Sequence, residues 1–122
     1  YARETVVAEK FQAMVALGLT NTRVKDYYDI WLLSQSFEFD KTQLGRAIAA
    51  TFARRETAVP TKVPDALTGA FSEDEAKQRQ WVAFVRDVSL DPGPLSAVVE
   101  TLAGFLLPAA ETAIKIEAEA QL

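Results

Sequence analysis

The stretch EKFQAMVALGLTNTRVKDYYDIWLL, residues 9–33, decides the fold class of this chain. It predicts two helices joined by a short polar turn. Apolar residues spaced three and four positions apart form one stripe of the first helix. They are Val7, Phe11, Met14 and Gly18. Because glycine is a common helix stop, we predict a first helix from Arg3 to Leu17.

The second helix is predicted to run to about Ser36, with Asn21 or Thr22 as its N-cap. Asp26 and Asp29 are three residues apart, so they lie on the same face of this helix. Both sides of the helix carry apolar residues, and a helix of that kind is usually buried on both sides. We therefore expect the two aspartates at a cleft or an interface.

Three more helices are predicted downstream of residue 36. Asp40 and Gln43 fit a capping box for the third helix, which we expect to end in Arg54-Arg55-Glu56. Residues 57–64 contain two prolines and are predicted to be a loop, and residues 65–69 could add one helical turn. Ser72 and Glu75 fit a capping box for a fourth helix.

The fourth helix is expected to reach about Val88, and residues 91–94, DPGP, predict a turn. A last helix begins near Leu95. Pro108 should kink or interrupt it, and the tail to Leu122 could continue as helix. Trp31 and Trp81 are expected to be core anchors. No segment shows strand alternation, so residues 1–122 predict one all-α domain, a bundle of about five helices.

Composition excludes several classes of site. The chain has 122 residues, a net charge of −4, no cysteine and no histidine. A disulfide framework, a histidine-ligated metal and a Ser-His-Asp triad are therefore excluded within it. The negative charge argues against a reader of duplex DNA. The apolar runs are expected to be too short for a membrane span, and a cytoplasmic location is expected.

Lys10, Asp26 and Asp29 are the residues with functional potential, and each has an ordinary alternative. Lys10 can be a surface lysine whose stem covers apolar residues, or an amine that meets phosphates in a cleft. Arg23–Asp26 and Lys25–Asp29 fit helix-surface ion pairs. A carboxylate pair on one face also fits a metal or general-base role. Two further cations, Arg54 and Arg55, are interpreted as ordinary helix C-terminal charges.

The chain resembles the AbiEii/AbiGii toxin family of nucleotidyltransferase-like proteins. That family shows a lysine in an E-K helix and then an R-x-[RK]-D-[FY]-[FY]-D-[LI] block. Here the pattern is matched by Glu9-Lys10 and by residues 23–30, RVKDYYDI. The basic residue before Asp26 is Lys25, where arginine is commoner, and lysine cannot form the bidentate contact that arginine can.

The resemblance implies a toxin of a two-gene system that uses a nucleoside triphosphate and magnesium. It implies Lys10 and Asp26 as catalytic residues, Lys10 as the contact to the triphosphate, and Arg23, Lys25 and Asp29 as supporting residues. The metal-binding acids of the family lie in an N-terminal domain that this sequence lacks. No metal site and no cofactor are therefore expected in these 122 residues alone.

The chain begins with Tyr1 rather than methionine, so we expect it to be the C-terminal helical part of a longer protein. Its implied partners are the N-terminal nucleotidyltransferase domain, a cognate antitoxin, and an acceptor that is tRNA or another biomolecule. By itself the chain is expected to be inactive. A non-catalytic helical module for structure or protein interaction is the alternative hypothesis.

Overall fold

The computed structural model describes residues 2–121, and within that range the chain forms six α-helices and no strand. The helices are α1 (Arg3–Leu17), α2 (Val24–Ser36), α3 (Lys41–Arg54), α4 (Gly69–Ser72), α5 (Glu75–Val85) and α6 (Leu95–Ala120). Two 3₁₀ turns, Gly18–Thr20 and Asp65–Leu67, lie between them. Because α4 is a single turn, the predicted all-α bundle of about five helices is confirmed.

The centre of the bundle is the pair α3 and α6. Helix α3 packs along α6 and also against α1, while α2 packs on α6 and α5. The buried side chains of α6 recur at helical spacing over five turns. They are Leu95, Val98, Val99, Leu102, Leu106, Ala109, Ala110 and Ala113. This stripe explains why the longest helix forms the spine of the core.

Close approach of α3 to α6 depends on a glycine. A Cβ atom placed on Gly45 would lie 2.8 Å from Thr112 Cγ2 and 3.3 Å from the backbone nitrogen of Ala113. Any side chain larger than hydrogen would require Thr112 or the α6 backbone to shift. The two helix backbones therefore approach more closely at this point than two alanines would allow.

Three predicted helix boundaries agree with the structure. Helix α1 ends at Leu17, and its C-cap is Gly18, which has a φ of 55°. Asp40 caps α3 by accepting a hydrogen bond from the Gln43 amide at 3.0 Å. The predicted turn near residue 65 is present as a 3₁₀ turn followed by α4.

Other predicted boundaries are wrong. The residue that precedes α2 is Arg23, which makes no side-chain cap, and Asn21 Oδ1 instead accepts from the Arg23 amide at 2.8 Å. Helix α5 is capped by Asp74 rather than Ser72, because the chain first completes α4. It also ends at Val85, three residues earlier than expected.

Helix α6 contradicts two expectations. Pro108 does not interrupt it, since the helix runs on to Ala120; Leu122 lies outside the described residues. Proline removes the bond to the carbonyl of Gly104, which is exposed and accessible to water. Helix α6 is also long and apolar enough to cross a membrane, by length and composition alone, with a mean hydropathy of 1.4. Here it serves as the core helix, packed against α3.

The two tryptophans differ in burial. Trp81 is buried and donates a hydrogen bond from its indole nitrogen to the Gly93 carbonyl at 2.9 Å. Trp31 is half-buried at the edge of the core and stacks obliquely near Tyr28. Trp81 is therefore the core anchor that the sequence predicts, whereas Trp31 is only partly buried and the prediction for it is wrong.

Candidate functional site

The α1–α2 hairpin brings Lys10 and the two aspartates together. Lys10 Nζ lies 3.0 Å from Asp26 Oδ1 and 3.1 Å from Asp29 Oδ2. The turn at residues 18–23 reverses the chain, so one lysine of α1 faces both acids of α2. The Lys10 ammonium therefore contacts both carboxylates of α2.

Both ion pairs that the sequence predicts on α2 are also present. Arg23 Nη2 lies 3.1 Å from Asp26 Oδ2, and Lys25 Nζ lies 2.6 Å from Asp29 Oδ2. The five side chains thus form one connected cluster of three cations and two anions. We call it the Lys10 cluster: Lys10, Arg23, Lys25, Asp26 and Asp29.

Burial divides the Lys10 cluster into an inner and an outer part. The Asp26 side chain is 5% exposed, whereas the Arg23 and Lys25 side chains are 60% and 68% exposed. Asp26 is thus covered within this chain by the cations that it binds. Ion pairs that involve exposed side chains such as Lys25 contribute little to stability. The contact of Lys10 with buried Asp26 is better protected from water.

The Lys10 ammonium keeps its proton firmly. Partial burial of Lys10 lowers its pKa, but hydrogen bonds with Asp26 and Asp29 and their negative charges outweigh this, and the pKa is raised above 10.5. Lys10 is therefore a fixed positive charge at neutral pH. It suits charge neutralisation, and it does not suit a role as a general base.

One oxygen of Asp26 has unused bonding capacity. Asp26 Oδ2 is near the Arg23 guanidinium, but it accepts no hydrogen bond within the described part of the chain. A buried carboxylate oxygen without a donor is uncommon, since such groups cost free energy when unpaired. The side chain nearest to Oδ2 is that of Arg23, which is 60% exposed and therefore has room to adopt another rotamer.

A groove of about 460 Å³ opens beside the Lys10 cluster. Its polar lining comes from α1, from the residue before α2 and from the residue after α3. These side chains are Glu9, Lys10, Gln12, Arg23 and Arg55. Three cations and one carboxylate thus line a groove on a chain with a net charge of −4. The sequence interpretation of Arg55 as an ordinary helix-end charge missed its place here.

The described residues contain no group of three or more Asp, Glu, His or Cys side chains that could hold a metal ion. Asp26 and Asp29 are instead occupied by lysine and arginine. Their arrangement therefore does not fit a magnesium site built from this chain's own residues.

Comparison with known families gives a match over nearly the whole chain. Residues 1–115 match the model of the nucleotidyl transferase AbiEii toxin, type IV toxin–antitoxin system. The chain belongs to this family. The resemblance drawn from Glu9-Lys10 and the RVKDYYDI block is thereby confirmed. No curated protein and no solved structure matches the chain.

Membership of the AbiEii family has two general consequences. A nucleotidyltransferase toxin is consistent with the use of a nucleoside triphosphate and a metal ion. A type IV toxin–antitoxin system suggests a cognate antitoxin as a partner.

Proposed function

We propose that this chain is the helical part of an AbiEii-type nucleotidyltransferase toxin, with Lys10 and Asp26 in a nucleoside-triphosphate site. An N-terminal domain completes that site and supplies the metal ligands. One observation supports this most strongly: Lys10 is held by two carboxylates at the wall of a cationic groove. An ordinary surface lysine has no need of two anchors.

In this proposal Lys10 neutralises negative charge on the phosphates. Nucleotidyl transfer forms a bond from an acceptor oxygen to the α-phosphorus and breaks the bond to pyrophosphate. Catalysis of such a step depends mostly on positioning and on charge stabilisation. Asp26 and Asp29 hold the Lys10 ammonium at a fixed place, so little reorganisation is needed when the phosphates arrive.

Asp26 has a second duty in the proposal. Its Oδ1 binds Lys10, while its Oδ2 is free of hydrogen bonds and is covered by Arg23. When Arg23 turns toward a phosphate, Oδ2 becomes available to accept the proton of an acceptor hydroxyl. Asp29 and Lys25 support the arrangement from the exposed side of α2.

Magnesium takes no part in the steps assigned to these residues, because residues 2–121 contain no group of three or more acids that could hold it. When bound by the N-terminal domain, the ion would neutralise phosphate charge. The chain by itself is accordingly proposed to be inactive. Incubation of the 122-residue chain with labelled nucleoside triphosphates, magnesium and acceptor RNA tests this, and transfer above that of a Lys10→Ala control would contradict it.

The site assignment is tested in the full-length toxin by growth arrest after induction. Lys10→Ala and Asp26→Ala are each expected to abolish the arrest. Lys115→Ala and Asp87→Ala are matched controls, since both residues are exposed and neither lines the groove. Thermal melting of each purified variant checks folding. If both site variants melt like the parent protein and remain fully toxic, the assignment is wrong.

A non-catalytic interaction module is the second candidate function. Helix α5 favours it, because this helix buries only Trp81 and leaves Val82 61% exposed. Val82 is the exposed apolar residue of this helix to which another protein could bind. A full-length toxin that keeps its activity with Lys10→Ala but loses it with Val82→Asp would favour this second function.

A further inference from the structure

We propose that Arg55 is a phosphate-binding residue of the groove and acts together with Arg23 on a linear polyphosphate. This inference deepens the proposed function and rests on it. It assigns the part of the groove that Arg55 lines, where α3 ends, to the phosphates of the nucleotide. Three features of the corner that carries Arg55 support it.

The first feature is an unusual helix end. The Thr57 amide donates to the Phe52 carbonyl at 2.9 Å, and the Glu56 amide donates to the Ala53 carbonyl at 3.1 Å. These two bonds define a Schellman motif, whose left-handed position is usually glycine. Here that position is Glu56, with a φ of 50°. A non-glycine residue in this conformation is strained, and such strain is often found at functional sites.

The second feature is the attachment of this corner to α1. Gln12, which is buried and lines the groove, donates from Nε2 to Thr57 Oγ1 at 2.9 Å. Thr57 Oγ1 in turn donates to the Arg55 carbonyl at 3.0 Å. A buried amide thus fixes the backbone of Arg55 against the helix that carries Lys10. These two hydrogen bonds hold the backbone after α3 in one position relative to α1.

The third feature is charge. Within residues 2–121, Lys10, Arg23, Lys25 and Arg54 each lie within 4 Å of a carboxylate, and Arg55 has no such partner. Arg54, its neighbour, reaches Glu9 at 3.4 Å. An uncompensated guanidinium beside Lys10 and Arg23 favours an anion, and the planar fork of arginine matches phosphate oxygens.

The geometry points to a chain of phosphates rather than a single one. Lys10 and Arg23 come from the α1–α2 side of the groove, and Arg55 comes from the end of α3. Cations on two walls of a 460 Å³ groove can contact different phosphates of one ligand. A nucleoside triphosphate has that form.

The test measures binding of inorganic tripolyphosphate to the 122-residue chain by isothermal titration calorimetry at low salt. Arg55→Gln is expected to weaken binding about tenfold, the value of a charged hydrogen-bond pair. Arg55→Lys, which keeps the charge but not the fork, should bind with intermediate affinity. The matched control is Arg46→Gln. Arg46 is an exposed arginine of α3 that is absent from the groove lining, so this variant should bind like the unsubstituted chain.

Two results would overturn the inference. One is equal affinity of Arg55→Gln and Arg46→Gln for tripolyphosphate, and the other is no binding of tripolyphosphate by the unsubstituted 122-residue chain. Circular dichroism and thermal melting establish that each variant is folded. Neither result affects the growth-arrest test of Lys10 and Asp26, so failure of this inference is distinguishable from failure of the proposed function.

Discussion

The α3–α6 pair and the α1–α2 pair hold together by different physics. Helices α3 and α6 meet through close packing, with Gly45 of α3 against Thr112 of α6. The Thr112 hydroxyl donates to the Pro108 carbonyl of its own helix rather than to α3. Helices α1 and α2 are tied by the contact of Lys10 with Asp26 and Asp29. Close packing tolerates little change, whereas charged contacts can exchange partners. The α3–α6 pair, which we call the spine, is therefore rigid. It supports the α1–α2 pair, which we call the charged wall and whose ion pairs can rearrange.

The largest expected effect is on the spine. Gly45→Ala should lower the free energy of unfolding by about 2–3 kcal/mol, because the new methyl group would lie 2.8 Å from Thr112 Cγ2. The clash outweighs the gain in helix propensity that alanine brings. Urea unfolding followed by circular dichroism measures the change.

Gly104→Ala is the matched control for that experiment. Gly104 also lies within a helix, but nothing lies within 4 Å of a Cβ placed there. The same substitution should therefore raise the free energy of unfolding by about 0.5–1 kcal/mol. If both variants become more stable, the α3–α6 contact is not as tight as described.

A smaller effect is expected where the charged wall meets the core, at Tyr27. Its ring stacks on Phe71 at 4.6 Å, and its hydroxyl donates to the Ala66 carbonyl at 2.7 Å. Tyr27→Phe removes this bond and leaves the carbonyl without its side-chain donor. We expect a cost of about 1 kcal/mol at neutral pH, measured by urea unfolding.

Tyr27 also predicts a pH dependence. Burial raises its pKa, and the charge of Asp26 raises it further. As the pH rises above the ordinary tyrosine value of 10.0, the unfolded chain loses this proton while the native chain keeps it. The free energy of unfolding therefore falls with rising pH in that range. Lys10, whose pKa is raised above 10.5, acts in the same direction. Tyr27→Phe should make the fall shallower, and an unchanged slope would contradict the assignment.

The sequence predicted the spine better than the caps. Periodic apolar residues define α3 and α6, because burial of one face requires that spacing. Cap residues are less certain, since several polar residues compete at each boundary. Asp74 caps α5, rather than Ser72, because the intervening turn α4 uses Ser72 as its last residue. Pro108 was predicted to kink or interrupt α6, but the helix continues past it to Ala120 and packs along α3.

The candidate site was predicted in part. The spacing of Asp26 and Asp29 and the reversal at Gly18 place three charged residues together, and both are readable from sequence. The sequence placed Asp26 at a cleft or an interface, but it did not show that Lys10 and Arg23 both contact the buried carboxylate. Arg55 could not be found because its groove neighbours come from α1 and from the residue before α2. In the sequence, the only local indication of the strained backbone is that Glu56, rather than a glycine, follows Arg55 at the end of α3.

The smallest expected effect is at that corner, where the rigid spine meets the charged wall. Glu56 has a φ of 50°, a region that glycine enters without steric cost. Glu56→Gly should raise the free energy of unfolding by about 0.5–1 kcal/mol, because relief of strain exceeds the entropy that glycine adds to the unfolded chain.

Gly18→Ala provides the opposite test. Gly18 has a φ of 55° with no atom near its Cβ position, so alanine there should destabilise the chain through backbone strain alone. Thermal melting of both variants beside the parent reads out the two signs. A stabilised Gly18→Ala or a destabilised Glu56→Gly would mean that the local backbone is not strained as described. If the signs hold and the tripolyphosphate affinity of Glu56→Gly equals that of the parent, the hydrogen bonds of Gln12 and Thr57, rather than the glutamate, hold Arg55 in place.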